Sequence, residues 1–492
     1  AFLTDRVLSA RIELILILIA TFTVNVIQRF EAGMGVALNH TIFRAYDIRG
    51  IVEVDLDEGI YELLGRAAGT LFRNEGRRRI VVARDARLSS PRFQAALMEG
   101  LRTTGMDVLD IGMVATPVMY FAVEALGADA GAIVSASHNP PEFNGLKLRR
   151  AEPRFGSEPL PSEAIQAVGT IAASGHFAQG AGHYEQVDIG PAYIESARRW
   201  INFGHRRPRV ALDGGNGVAG PLAMAMYEAL GIEVIPLFIE PDGTFPNHHP
   251  DPLKVENLRD LQAAVREHRA DLGIGLDGDG DRLGVVDEAG EVVFADRYLI
   301  ALAKAMLTKR KGPVVFDVKC SAVLPQAIRE LGGEPVMWKT GYTSLSAKMR
   351  EVDAVLGGEL SGHTIFPFPG RYFDDGAFAG AMLLHALGEL GQTLREVLAP
   401  YPVLPSIDEG RIPFPEERKF AVIDFLRERF AGKYPLIDID GVRVDFGDGW
   451  GLVRASNTEP AITTRFEAQT WERVSAIRDE MLSVVEEFRK QA

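Results

Sequence analysis

Arg79-Ile80-Val81-Val82-Ala83 leads into a polar loop, a helix-like stretch from Pro91 to Thr104, a stop at Gly105 and the strand-like Met106-Asp107-Val108-Leu109. Strand, loop, amphipathic helix, glycine and strand is the pattern of a βαβ unit. The order returns twice. Arg209-Val210-Ala211-Leu212 is followed by the turn Asp213-Gly214-Gly215-Asn216-Gly217, a helix through Leu230, Gly231 and Ile232-Glu233-Val234-Ile235. Pro313-Val314-Val315-Phe316 is followed by a helix through Leu331, Gly332-Gly333 and Pro335-Val336-Met337-Trp338. Three copies predict three similar α/β domains with mixed or mostly parallel sheets. From about Pro402 the pattern changes to α+β, with strands expected at 436–441 and 451–454 and a closing helix from Glu472 to Phe488. No low-complexity linker separates these blocks, so the expected architecture is four packed domains around one central cleft.

Composition bounds the partners. A chain of 492 residues exceeds one hydrophobic core, and an apolar fraction of 47% excludes global disorder. The formal charge of −14 argues against nucleic acid or an anionic membrane as the main partner, so any phosphate recognition must be local. The single cysteine, Cys320, forms no internal disulfide and no thiolate metal site, which suits a reducing compartment.

The N-terminus stands apart. An apolar run from Leu14 to Val24 lies between Arg6 and Arg11 on one side and Arg29 on the other. Even extended to Ile27 it includes Asn25 and falls short of the roughly 20 residues of a membrane span. Its length and basic start suit a secretory segment, but no small-x-small cleavage site follows closely. The favoured expectation is a leader, residues 1–39, outside the fold, with a weak membrane anchor through residues 12–27 and an export signal as alternatives.

Four loops carry the chemistry. Ser135-Ala136-Ser137-His138-Asn139-Pro140 follows the apolar strand Ala132-Ile133-Val134 and runs on to Asn144-Gly145-Leu146-Lys147. A serine used as a phosphoryl carrier needs a positive neighbourhood, and His138, Asn139 and Lys147 supply donors within one loop. Alone, the first six residues are also an ordinary turn. Asp277, Asp279 and Asp281 alternate behind the strand 271–276, with Gly278 and Gly280 letting the backbone fold so that three carboxylates converge on a hard cation, Mg²⁺ before Ca²⁺. Glu288 occupies the twelfth position of an EF-hand loop, but Arg282 stands at the sixth, where glycine is required. Glu359 and Ser361, two apart, can bracket vicinal hydroxyls. Arg454, Ser456, Asn457 and Thr458 form a phosphate cradle of one guanidinium, two hydroxyls, an amide and turn N–H groups.

Together with the opening segment Ile42-Phe43-Arg44-Ala45-Tyr46-Asp47-Ile48-Arg49-Gly50, these loops resemble the signature loops of the α-D-phosphohexomutases, with the greatest likeness to the bacterial phosphomannomutase/phosphoglucomutase branch. The resemblance spans residues 42–488. It implies four domains, expected at 40–187 (phosphoserine loop), 188–291 (metal loop), 292–402 (sugar loop) and 403–492 (phosphate loop). It implies a mutase that interconverts the 6- and 1-phosphates of mannose and/or glucose through phospho-Ser137 and a 1,6-bisphosphate, with Mg²⁺ on the three aspartates and on Ser137, and glucose 1,6-bisphosphate as activator. In such an enzyme Arg282 helps position the ion, and Arg49, Tyr46 and Lys319 line the cleft. Glu359 and Ser361 read the 3- and 4-hydroxyls, and His363 is a candidate for proton transfer. Hexose phosphates are the expected partners, in the cytoplasm, with a monomer or small homo-oligomer.

One departure is visible. Lys339-Thr340-Gly341-Tyr342 places Tyr342 where the family usually carries histidine. A phenol can donate a hydrogen bond but carries no charge near neutrality. Two alternatives follow: a phosphoglucosamine mutase, whose branch usually shows Gln at Leu360 and a different segment at 43–46, or a catalytically weak sugar-phosphate-binding relative.

Overall fold

Three times the chain lays down a strand buried along almost its whole length, Arg79–Arg84, Arg209–Asp213 and Pro313–Asp317. Near-continuous apolar runs of this kind belong inside a sheet covered on both faces. The computed structural model describes residues 38–456 and 460–491. The expected leader therefore lies, up to residue 37, outside the described residues. Leu38 already packs against the first core, and the Asn39 side chain donates to Asp55 at 2.8 Å.

Each of the three strands is flanked by two parallel partners. Arg79–Arg84 lies between Asp107–Met113 and Ala130–Val134. Arg209–Asp213 lies between Glu233–Leu237 and Leu272–Leu276. Pro313–Asp317 lies between Glu334–Trp338 and Leu356–Gly358. In every copy the third strand then turns back into an antiparallel fourth: Phe143–Glu152, Leu283–Val286 and Thr364–Ile365. The three α/β domains are thus mixed sheets with one topology. The loops at 135–142, 277–282 and 359–363 are the same connection in each, at the C-terminal end of the third parallel strand. Open α/β sheets bind ligands at that edge.

The last domain is an antiparallel sheet of five strands with the helices Lys419–Phe430 and Trp471–Lys490 packed on it. Its central hairpin pairs Gly449–Ala455 with Ala461–Ala468. The strand expected at 436–441 is shorter than its sequence suggested. Only Leu436–Ile437 pairs, because Ile437 opposes Arg443 and the chain must reverse between them, with Gly441 at φ +80. The four-domain α/β architecture read from the sequence is the one observed.

Packing differs between the domains. Val81 and Ile133 of the first, Leu212 and Ile274 of the second, and Leu299 and Phe316 of the third share one apolar core. The fourth has its own, around Val422, Phe466 and Ile477, and meets the third through a small cluster of Val318, Trp450 and Leu452. There Arg443 stacks on Trp450 at 3.5 Å and donates to Cys320 O at 2.8 Å. A small, partly polar junction favours movement of the fourth domain as a body. Among the described residues no helix is long and apolar enough to cross a membrane.

One buried cation binds the shared core. Arg371 donates to Asp375 Oδ2 at 3.0 Å, Tyr193 O at 2.8 Å and Ser196 Oγ at 3.0 Å, with its guanidinium 4.3 Å from the Phe378 ring centre. Arg371→Met leaves Asp375 as a buried charge without its cation. We expect a loss of about 3–5 kcal/mol, read as a lower denaturation midpoint in urea.

Candidate active site

Ser137 sits in the first of the equivalent loops at φ +52, the left-handed region that a residue with a Cβ seldom occupies. There its Oγ donates to Asp277 Oδ2 at 2.9 Å and lies 3.3 Å from His138 Nδ1. Burial depresses the basicity of His138, and the guanidinium charges of Arg282 and Arg49 depress it further. Arg49 holds the loop from the opposite strand by donating to Asn139 Oδ1 at 2.8 Å.

The second loop brings its aspartates to the same place. All three are at most 1% exposed, and ligand oxygens of Asp277, Asp279 and Asp281 lie within 4.8 Å of one another. Lys147 points at them because it faces Ile133 across the antiparallel pair that carries the serine loop. Its Nζ donates to Asp279 Oδ2 at 2.6 Å and Asp281 Oδ2 at 2.7 Å. Thr116 Oγ1 and Ser135 Oγ also donate to Asp279 Oδ2, at 2.6 and 3.2 Å. Burial pushes the Asp277 carboxyl well up, and the like charges of Asp281 and Asp279 add to it. For Asp279 burial acts in the same direction, but the Lys147 charge and hydrogen bonds override it and hold the group far below the usual range. Lys147 stays charged because these two carboxylates outweigh its burial.

Three carboxylates thus face two cationic side chains, Lys147 and Arg282. Asp279 Oδ1 and Asp281 Oδ1 remain buried without a hydrogen-bond partner. Excess buried negative charge with orphaned hard oxygens fits a divalent cation.

The third loop adds an imidazole. His363 Nδ1 lies 2.7 Å from Asp374 Oδ2 and 3.9 Å from Asp281 Oδ1, while Arg282 Nε donates to His363 Nε2 at 3.2 Å. Burial favours the neutral ring, but Asp281 and Asp374 prevail and raise it to about 9. A ring with both nitrogens protonated cannot accept from Arg282. The contact with Arg282 therefore belongs to the neutral Nδ1–H form, the minor one near neutrality, in which Arg282 occupies the Nε2 lone pair. Tyr342 stacks on this imidazole, ring centres 5.7 Å apart at 29°. Burial carries its hydroxyl to about 12, against the pull of Lys147 and Arg149, so it stays protonated.

The rest of the cleft lies between the third and fourth domains. Glu359 accepts from Gly341 N and, at 3.4 Å, from Ser361 Oγ. Lys319 Nζ is 3.1 Å from Glu409 Oε2 and 3.7 Å from Asp317 Oδ2. Arg454 Nε donates to Asp440 Oδ2 at 3.1 Å, and that oxygen also accepts from Thr340 N at 3.0 Å. Tyr46 reaches in from the first domain. Burial raises its pKa, with Ser344 as hydrogen-bond partner and Asp440, Glu359 and Arg454 nearby. Ser456 is buried beside Arg454. Asn457 and Thr458 lie outside the described residues.

The structure brings Ser137, His138, Lys147, the three aspartates, Arg282, His363 and Tyr342 into one cluster. Tyr46, Lys319, Glu359, Ser361, Arg454 and Ser456 form its continuation. Sequence reasoning missed Asp374, which holds His363, and Asp85 and Arg87 beneath the serine loop. Asp374-Asp375-Gly376 opens a helix that Asp375 caps, so its first aspartate is free to face the site. Asp85 and Arg87 follow the first strand at the same ligand-binding edge, which was the available signal.

Comparisons with known proteins agree with this arrangement. Models of the phosphoglucomutase/phosphomannomutase α/β/α domains I, II and III match residues 40–176, 191–290 and 294–403, and that of the C-terminal domain matches 409–484. A phosphomannomutase/phosphoglucomutase of Pseudomonas aeruginosa is 44% identical over 440 residues, covering 89% of this chain and 94% of its own. A phosphoglucomutase of Neisseria meningitidis serogroup A is 41% identical over 452 residues, covering 90% and 96%. The crystal structure of a phosphoglucomutase/phosphomannomutase family protein from Burkholderia thailandensis has a TM-score of 0.83 at 40% identity and covers 91% of this chain and 98% of its own. The chain belongs to the phosphoglucomutase/phosphomannomutase family. It is accordingly a phosphohexose mutase, an isomerase.

Proposed function

We propose that this mutase interconverts the 6- and 1-phosphates of mannose and glucose in the cytoplasm, with Ser137 as phosphoryl carrier, Mg²⁺ as its metal and glucose 1,6-bisphosphate as activator and intermediate. The observation that carries this reading is the 2.9 Å contact of Ser137 Oγ with Asp277 of a three-carboxylate cluster. Arg454 and Ser456, with Asn457 and Thr458, bind the phosphate already on the sugar. Glu359 and Ser361 bracket its hydroxyls, and Lys319 and Tyr46 close the sides. The sugar's free hydroxyl then faces Ser137. Phospho-Ser137 gives its phosphoryl group to that oxygen, and the P–Oγ bond breaks as the P–O(sugar) bond forms. The proton given up by the sugar hydroxyl balances the one taken up by Ser137 Oγ as it leaves, and the His363 imidazolium, held by Asp374 and Asp281, adds positive charge at the transferring group. The 1,6-bisphosphate turns over in the cleft and returns its other phosphoryl group to Ser137 Oγ. Arg282, Arg49 and Lys147 neutralise charge at the transferring group. Asp277, Asp279 and Asp281 would hold a divalent ion, which would supply further positive charge at the transferring group. The fourth domain closes over the intermediate, since a bisphosphate must not escape.

Side-by-side coupled assays with mannose 1-phosphate, glucose 1-phosphate and glucosamine 1-phosphate test the substrate class. Turnover of glucosamine 1-phosphate ahead of both others would overturn it. Tyr342 is the second test. Its phenol is protonated and stacked on His363, so it acts by shape and hydrogen bonding. Tyr342→His is therefore expected to change kcat/KM by less than about tenfold, or ~1.4 kcal/mol, with the mannose-to-glucose ratio as the more visible change. A gain well beyond tenfold on each substrate would mean that the wild-type protein is a poorly competent mutase.

A further inference from the structure

The turn at residues 85–90, which leaves the strand Arg79–Arg84, has no part in the steps above, yet it lies directly under the Ser137 loop. Arg87 is 1% exposed. Its Nη2 donates to Ser137 O at 2.8 Å and Asn139 O at 2.6 Å, its Nη1 to Pro140 O at 2.6 Å and Phe143 O at 3.0 Å, and its Nε to Asp85 Oδ2 at 3.1 Å. A guanidinium has five N–H donors, and all five are used. Asp85 is fixed in turn by Arg87 N at 3.0 Å and by Ser90 Oγ. The second domain seals the outer side. The Phe245 ring centre is 5.7 Å from the guanidinium carbon, and Gly243 comes so close that a Cβ there would stand 2.5 Å from Ala86 O and 2.9 Å from Arg87 Cα.

Four carbonyl oxygens of residues 137–143 thus turn inward to one cation. A backbone bent in that way has to pass through an unusual conformation somewhere, and it does so at Ser137, at φ +52. We propose that Arg87 is a positioning residue for phosphoryl transfer: by gathering these carbonyls it holds Ser137 in the left-handed conformation that aims Oγ at Asp277 and the metal loop. The inference rests on the reading of Ser137 as phosphoryl carrier. It touches neither the sugar nor the remote phosphate, which residues of the third and fourth domains bind. Lysine cannot replace it, because an ammonium offers three donors from one point and cannot span four carbonyls and a carboxylate.

The experiment uses Arg87→Lys in the full chain. It measures kcat and KM for glucose 1-phosphate, and the rate at which Ser137 is labelled from phosphorus-labelled glucose 1,6-bisphosphate. Expected are a fall of about a hundredfold in kcat and in labelling rate, with KM within about threefold of wild type, since displacement of a reacting atom by about 1 Å costs that much. A folded variant with kcat within about threefold of wild type, or with kcat and KM impaired together, would overturn the assignment. If Arg87→Lys does not fold, as judged by circular dichroism, Asp85→Asn decides by the same split. It keeps the shape and weakens the anchor, and a loss of about tenfold confined to kcat is expected. An unlabelled wild-type Ser137 would sink the phosphoserine reading itself. A labelled wild type with a variant labelled at the same rate would sink the role of Arg87 alone.

Discussion

Ser137→Ala is expected to lower kcat by about three orders of magnitude or more while hexose phosphate still binds with near wild-type affinity. The groups that grip the sugar and its phosphate, Glu359, Ser361, Lys319 and Arg454, belong to the third and fourth domains, and none is hydrogen-bonded to Ser137 among the described residues. Residual rate is expected, because positioning and charge stabilisation survive loss of the nucleophile. The wild-type protein should carry phosphate on Ser137 in near-stoichiometric amount, and peptide mapping that placed the label elsewhere would sink the assignment. Ser137→Gly serves as a control for conformation. It also lacks the nucleophile but accepts φ +52 without a Cβ clash, so it should be more stable than Ser137→Ala by about 1 kcal/mol. Equal stabilities would show that the left-handed conformation imposes no strain.

Asp279→Asn is expected to cost about a thousandfold in kcat and to raise the Mg²⁺ concentration needed for half-maximal activity. Asp279 bears more of the site than its neighbours do. Its Oδ2 accepts from Thr116, Ser135 and Lys147, and its Oδ1 is the orphaned oxygen available to an ion. The amide removes one ligand charge and half of the anionic partnership of Lys147. Lys147 then has Asp281 alone at 2.7 Å to oppose its burial. Removal of the ion by excess chelator should abolish wild-type activity, with Mg²⁺ restoring it. Full activity in chelator would refute a catalytic metal, and an unchanged Mg²⁺ requirement in Asp279→Asn would move the ion away from this residue.

The two variants act on the two loops that one contact joins, Ser137 Oγ to Asp277 Oδ2. The residues of that contact are 140 positions apart. The contact exists because two domains of the same topology present the same connection, behind the third parallel strand, to one another. The third domain brings His363 by the same route. Repetition of one βαβ pattern therefore has a chemical consequence: it supplies three loops of equal origin that differ only in their side chains.

Much of this was legible in the chain. The strands around residues 79, 209 and 313, the helices behind them and the glycine stops follow from short-range periodicity and backbone preference, and the structure has them within a few residues. The reactive loops were legible because chemistry concentrates there in unusual local groupings, Ser137-His138-Asn139 and the alternating Asp277, Asp279 and Asp281. The strand expected through residue 441 was misjudged because alternating apolar residues do not reveal where a hairpin must turn; pairing of Ile437 with Arg443 does.

The sequence by itself determined the local elements, the nucleophile and ion-binding residue types and their placement on loops, since each of these depends on neighbours a few positions away. Only the tertiary structure decided which charges are paired and which are left over. Lys147 against Asp279 and Asp281, Asp374 behind His363, Tyr342 stacked on that imidazole, and Arg87 under Ser137 are contacts that no period encodes. They arise when buried polar groups from separate elements must satisfy one another away from water.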